Sequence, residues 1–465
     1  MTRTPWMAAL ALLAALALAA PASAAPQTKT FRYGPVKIGP YQVEQKNFTL
    51  DIPTPAVDGY VTEMDTDIVD ADGKQVPINR LMLHHIVFLN LGEKIGDKRD
   101  STCNRFTALD SRTSLPNVGE RWAGAGEERL RLRLPPGYGY PIKAKDRWAI
   151  TYMLMNHRNR TDQAYIQYRV TYDTAPRKPA TPYWLDIKNC LSDPVFDIPG
   201  GKKRGSTTRR SKTWTVPETG RIVAGGGHVH GGAKNLTLNR SGCTLYNSKP
   251  TWGRRGHPFY RVKPVLHEPG PVNMSSFTSG EGFPVQRGEK LRLDSNYDGE
   301  LLHTRVMGIM PVFLAKDAGV KPTTACARPG DLREFRGEAG RSKPPRFTVP
   351  LTGLRSNGSA RKISAPPGAR VRLRSGSVIG VGDRFFTRPN VSVNSGSVLK
   401  WRFFGEELHN VTVASGPRGF SSVNLDTNRR FRKKLKTPGT YRLFCGLHPV
   451  SMTQTVKVLP KRKRQ

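Results

Sequence analysis

The sequence predicts an all-β chain made of β-sandwiches. Three observations carry that expectation. No 3.6-residue apolar stripe is sustained beyond Ala24, so long amphipathic helices are not expected. Short apolar–polar alternations recur instead, as in Val391-Ser392-Val393 and Val398-Leu399-Lys400-Trp401, with Asn-Ser-Gly turn residues between them. The chain also carries 45 Gly and 37 Pro, which punctuate it into short runs. Its 465 residues are enough to bury on the order of two or three cores.

The first segment, residues 1–24, reads as a secretory signal peptide: an early Arg3, an apolar run, and Ala22-Ser23-Ala24 as a small-residue cleavage site. The chain beyond it is then expected in an oxidising, extracytoplasmic space, secreted or in the cell envelope or periplasm. Five cysteines remain, Cys103, Cys190, Cys243, Cys326 and Cys445. The first four allow two disulfides in any of three pairings. No further apolar run is long enough for a transmembrane helix.

Residues 30–178 form the first expected sandwich and 179–320 the second. In the first, Arg80-Leu81-Met82-Leu83-His84-His85-Ile86-Val87-Phe88 puts two adjacent histidines inside an apolar strand. Neighbouring strand residues face opposite ways, so a twist or bulge is needed to aim both at one ion. His157 ends the strand-like run Trp148-Ala149-Ile150-Thr151-Tyr152-Met153-Leu154-Met155-Asn156. In the second, Gly226-Gly227-His228-Val229-His230-Gly231-Gly232 places two imidazoles on one strand face, suited to chelating one metal. The flanking glycines permit close backbone approach. Val306-Met307-Gly308-Ile309-Met310 offers a thioether at Met307 or, on the opposite face, at Met310.

Residues 321–370 are rich in Pro, Gly, Ser and Arg, including Pro344-Pro345 and Pro366-Pro367, and read as a partly ordered linker with an edge strand at Arg346-Phe347-Thr348-Val349. Residues 371–458 form the third expected sandwich, and 459–465 a basic tail. Near its end, Phe444-Cys445-Gly446-Leu447-His448-Pro449-Val450-Ser451-Met452 joins His409 upstream. A thiolate, two imidazoles and a weak thioether suit copper cycling between Cu(I) and Cu(II). The fifth cysteine is thus the one a copper thiolate must keep out of a disulfide.

The segment Val371–Val458 resembles the cupredoxins, the plastocyanin- and amicyanin-like blue copper domains, in its upstream His, Cys-x2-His and following Met. That resemblance implies a Greek-key β-sandwich with a type 1 copper on His409, Cys445, His448 and Met452. The order His-His, strand-ending His, His-x-His, Met over residues 40–320 resembles the copper type II, ascorbate-dependent monooxygenases, the peptidylglycine α-hydroxylating and dopamine β-monooxygenase family. Leu134-Pro135-Pro136-Gly137-Tyr138-Gly139-Tyr140 and the Gly-Glu-x-Leu run before Met307 add to it. This second resemblance implies two packed antiparallel, jelly-roll-like sandwiches and two further coppers. His84, His85 and His157 would hold the electron-receiving one. His228, His230 and Met307 would be the catalytic set. The chain departs from the family in having Gly308 where a Cys follows the Met, and in having at most two disulfides.

The resulting expectation is an exported multi-copper, monooxygenase-like oxidoreductase with a fused electron-transfer domain, drawing on ascorbate or another external reductant. The alternative is a non-catalytic copper-binding or electron-transfer protein of the cell envelope. A redox partner, or a small-molecule or peptide substrate, is implied. The formal net charge of +38 is read either as attraction to an anionic envelope surface or as solvated basic loops. No nucleic-acid module or aromatic stacking motif accompanies the basic runs, so nucleic acid is not expected. Walker, dinucleotide and Ser/His/Asp signatures are missing from the sequence.

Overall fold

The computed structural model describes residues 25–461, apart from 111 and 338; the signal-peptide segment and most of the basic tail lie outside the described residues. The fold is all-β, with one short 3-10 turn at Pro258–Arg261 among the described residues.

The first sandwich packs a six-stranded sheet on a four-stranded one. The larger runs Gln27–Ile38, Asp162–Asp173, Gly59–Val69, Tyr138–Ile142 and Lys178–Pro179, with Leu132–Arg133 also paired to Gly59–Val69. The smaller runs Val43–Ile52, Arg147–Asn156, Leu81–Gly92 and Glu120–Gly126. Alternation drives this packing: Ile166, Tyr168 and Val170 of the first sheet meet Phe88, Trp122 and Trp148 of the second in one core. Each such aromatic contributes roughly 1.5–3 kcal/mol by leaving water.

The second sandwich repeats the plan. One sheet runs Thr181–Asp186, Gly308–Lys316, Gly220–Gly226, Ser276–Val285 and Arg333–Phe335, with His228–Val229 paired to Gly308–Lys316. The other runs Thr207–Thr215, Lys290–Asp298, Ala233–Arg240 and Cys243–Ser248. In the third, Val371–Arg372, Asn390–Asn394, Thr453–Leu459, Gly439–Phe444 and Thr412–Ser415 face Phe385–Phe386, Val378–Gly382, Val398–Phe403 and Arg430–Lys434. Buried Trp401 donates to Gln454 Oε1 at 2.9 Å, which satisfies its indole N–H inside this core.

The three sandwiches pack together. Val223, Ala224, Phe313 and Ala315 of the second extend the core of the first. Met82, Met153 and Met155 of the first and Phe259 and Leu266 of the second join the core of the third. Of the three pairings open to the first four cysteines, the chain uses Cys103–Cys190 and Cys243–Cys326, and Cys445 is free and buried. Cys103–Cys190 ties a loop of the first sandwich to the second; Cys243–Cys326 pins the start of the linker region.

That region is more ordered than a linker. Arg333–Phe335 adds a strand to the second sandwich, and Leu351–Leu354 pairs with Ala360–Ile363 as a hairpin. The edge strand expected at Arg346–Val349 does not form. Pro344, Pro345 and Pro350 around it lack the N–H donors a ladder needs. No described helix is long and apolar enough to cross a membrane.

Candidate metal centres

The adjacent histidines are brought to one side by a β-bulge. Along Leu81–Gly92, Met153 pairs with His85 but Leu154 pairs with Leu83, so His84 is the extra residue. The core-facing parity flips there: Leu81 and Leu83 face the first core before the bulge, Ile86 and Phe88 after it. His84 and His85 therefore both face outward, toward the second sandwich, and their Nδ1 atoms lie 2.9 Å apart.

The His-x-His segment arrives from the opposite side. His228 and His230 share a face, with ring centroids 5.1 Å apart, and His230 stands 4.9 Å from His84. The two expected ligand sets thus meet in one cluster at the interface of the sandwiches. Gly126, cross-strand from His85, makes room: a Cβ there would come within 2.5 Å of His228 Cε1.

Three further residues complete the cluster. His267 lies 4.9 Å from His84 and bonds Glu127, whose other oxygen accepts from Gly270 N at 2.7 Å. His84, Glu127 and His267 can offer one ligand atom each to a common ion. Glu128 accepts from His228 Nδ1 at 3.0 Å and from Gly126 N at 3.1 Å. Glu127 and Glu128 could have drawn notice as consecutive carboxylates behind an apolar strand. His267 carries no motif, and only the fold brings it in.

Hydrogen bonds to one ring nitrogen orient two of the imidazoles. His230 Nδ1 donates to the Arg305 carbonyl at 3.1 Å, which can only accept, so Nε2 holds the lone pair of the neutral ring. His228 is oriented in the same way by Glu128. The Nε2 atoms of His228 and His230 and the Nδ1 of His267 are buried without hydrogen-bond partners. Burial, then the neighbouring imidazoles, holds His84 and His230 well below the usual imidazole range, and His85 is pushed down to about 3 by burial, His228 and Arg305. For His228 burial is the largest single effect, yet the Glu128 charge and hydrogen bond, with Glu127, outweigh it and raise the pKa.

His157 lies at the cluster's margin. Its ring packs in a small cavity with Met82, Phe259, Leu266 and His267, Nδ1 is 3.0 Å from the Pro264 carbonyl, and Nε2 is buried without a partner. Burial, then His267, lowers it to about 4 against the opposing carbonyl. Met307 sits at the break between His303–Val306 and Gly308–Lys316 and lines a cavity of about 230 Å³ with His84, His85 and His230. Met310 is buried in the second sandwich's core, away from the rings. Gly308 leaves no room for the Cys of the resembled family, because a Cβ would press Ser295 Oγ at 2.5 Å.

In the third sandwich, Cys445 Sγ lies 3.8 Å from Nδ1 of both His409 and His448, and those two nitrogens are 3.1 Å apart. Met452 is fully buried, and its backbone closes the loop: Cys445 N donates to Met452 O and Met452 N to His448 O, each at 3.0 Å. The outer ring nitrogens are held by carboxylates that carry no sequence signal, His409 Nε2 by Asp383 at 3.0 Å and His448 Nε2 by Glu407 at 2.9 Å. Burial raises the Cys445 thiol, Asn410 N donates to its sulfur at 3.4 Å, and burial with His409 pushes His448 down to about 4.

Residues 180–317 match the family described as Stress up-regulated Nod 19, or SURNod19. The match takes in His228, His230 and Met307; His84, His85, His157 and Cys445 lie outside it. No monooxygenase family matches. Among solved structures, the chain is similar to an oxidised methionine-to-leucine variant of amicyanin, at 20% identity over 17% of this chain and 79% of that one, with a TM-score of 0.16. It is also similar to a reduced Cu(I) form, at pH 4, of a proline-to-glycine amicyanin variant, at 21% identity over 18% and 85%, with a TM-score of 0.17. No curated protein matches.

Proposed function

We propose that this protein is an extracytoplasmic multi-copper oxidoreductase in which a blue-copper electron-transfer module serves a monooxygenase-like histidine centre. One observation carries the reading. His228 and His230 each spend Nδ1 on a carboxylate or carbonyl and leave Nε2 buried with no partner. An unmet buried polar atom costs about 1–3 kcal/mol. A metal ion relieves that cost, and a ligating imidazole is typically held by its other nitrogen in this way.

The donors fit copper. A thiolate, two imidazoles and a thioether would hold a type 1 ion at His409, Cys445, His448 and Met452. Imidazoles and a thioether would hold copper at His84, His85, His228, His230 and Met307, with His157, His267 and Glu127 beside them. When bound, copper supplies one-electron redox chemistry and, at the histidine centre, oxygen activation toward a C–H bond. The chain's own residues do the rest. Glu128 and the Arg305 carbonyl fix the rings, and Met153, Leu266, Val306 and Phe444 give the adjoining cavity an apolar part of its wall beside the charged Asp193, Glu268 and Glu300. A cavity of about 230 Å³ suits a small molecule better than a peptide. The two disulfides accord with an oxidising compartment, and ascorbate or another external donor would supply electrons.

A second reading, a copper-binding electron carrier without turnover, is favoured by the third sandwich forming one wall of that cavity through Thr412, Ala414 and Phe444. Oxygen uptake by the copper-loaded protein under ascorbate separates the two. Uptake lost in His228→Ala, with the blue copper retained, supports the enzyme. No uptake by the wild type, with all copper in place, supports the carrier.

A further inference from the structure

Arg305 is built into both centres at once. It adopts a left-handed backbone, with φ of 53°, a conformation that non-glycine residues seldom take. That turn sends its two ends in different directions. Its carbonyl accepts from His230 Nδ1 at 3.1 Å in the histidine cluster. Its side chain crosses into the third sandwich, donating to the Ser422 carbonyl at 3.0 Å and to Asp193. Its N–H donates to Asp197 at 3.1 Å, and Asp197 in turn accepts from Ser421 N and Oγ, so the crossing is fixed on both sides.

From Asp193 the contacts continue to the Cys445 sulfur. Asn424 Nδ2 donates to Asp193 at 3.4 Å, Asn410 Nδ2 donates to Asn424 Oδ1 at 2.9 Å, and Asn410 N donates to Cys445 Sγ at 3.4 Å. Asp193, Asn410 and Asn424 are all buried. A second route, with a through-space step, runs beside this one: Gly446 follows Cys445 in the chain, and a Cβ built on it would lie 3.7 Å from Arg305 Cδ, so the glycine itself faces Arg305 across a gap. Both routes converge on Arg305. A buried polar chain with all its hydrogen bonds made is stiff, and it is the kind of contiguous network along which two sites couple.

We propose that Arg305 is the electron bridge between the Cys445 centre and the histidine cluster, through Asn410, Asn424 and Asp193 on one path and Gly446 on the other. The inference rests on copper occupying both centres as read above. One electron leaves Cu(I) at His409, Cys445 and His448 and reduces Cu(II) at the cluster through His230. The first ion becomes Cu(II) and the second Cu(I). No bond forms or breaks, and no proton moves, since every hydrogen bond in the chain keeps its own. An external one-electron reductant re-reduces the Cys445 centre.

The test uses the full chain loaded with Cu(II) under argon, its copper content at both centres first established by metal analysis and EPR. A radiolysis pulse delivers less than one electron per protein, and the blue band is followed. The expected result is rapid bleaching, then first-order recovery at a rate independent of protein concentration. Arg305→Gly keeps the left-handed backbone and the carbonyl but removes the crossing side chain; its recovery slows at least tenfold with unchanged blue and cluster spectra. Asn424→Ala cuts one path only and slows recovery by a smaller factor; it decides the matter if Arg305→Gly loses its copper spectra. Wild-type recovery rates in variants with intact spectra would overturn the proposal, as would second-order recovery in the wild type, and both would leave the copper reading standing. A wild type with no copper at the cluster fails earlier, at the metal analysis, and sinks the reading itself.

Discussion

At the scale of single residues, the chemistry is set by which ring nitrogen is left free. Glu128 accepts from His228 Nδ1 and so turns Nε2 inward. Glu128→Gln keeps the shape but removes the charge, and should weaken copper at the cluster about 10–100-fold in a competition titration. Replacing His228 and His230 together with Ala should remove about one copper equivalent, because it takes two imidazoles from the cluster. Cys445→Ser should abolish the visible thiolate-to-copper band while cluster copper remains. A separate residue, His303, offers a pH test. Burial alone would lower its pKa, but Glu268 and Asp298 outweigh burial and raise it from 6.5 to about 9. A pKa raised on folding stabilises the protein fully below 6.5 and loses that contribution as pH climbs through 9, at most about 3 kcal/mol. The stability gap between wild type and His303→Gln should therefore shrink over that window in a melting series.

At the scale of elements, the bulge at His84 and the glycine at 126 are what turn scattered histidines into a centre. Gly126→Ala would put a methyl 2.5 Å from His228 Cε1 and 2.6 Å from Glu128 Oε2, so the hydrogen-bonded pair would have to shift. The expected cost is about 1–3 kcal/mol by overpacking, with loss of cluster copper. Denaturant melts and metal analysis of the same preparation check both. Here the sequence was legible in part. His-x-His on a strand reads directly, since alternation puts both rings on one face. The pair His84-His85 shows only that a bulge is required, not where it falls, because the register that fixes it lies in Met153 and Leu154 of another strand. His267, Asp383 and Glu407 were not legible: each reaches a ring across a long sequence separation, and no local pattern marks them. In residues 321–370 the edge strand expected at Arg346–Val349 does not form, while the strand that does, Arg333–Phe335, depends on pairing with Ser276–Thr278, which no local pattern shows.

At the scale of the whole molecule, two sandwiches supply the walls of one histidine cluster and the third covers the cavity beside it. Cys103–Cys190 holds the first two together across 87 residues, worth about 4–5 kcal/mol in chain entropy. Cys103→Ser with Cys190→Ser should lower the thermal midpoint and weaken cluster copper, while the blue centre, inside its own core, keeps its spectrum. On the proposed reading, one chain carries a thiolate copper and a separate histidine copper centre. Total copper by metal analysis, set beside the blue signal integrated by EPR on the same sample, tests it most directly. One blue copper per chain is expected, with additional non-blue copper that disappears in the His228→Ala, His230→Ala variant; copper bound without a blue band, or total copper no greater than the blue copper, would overturn the two-centre reading.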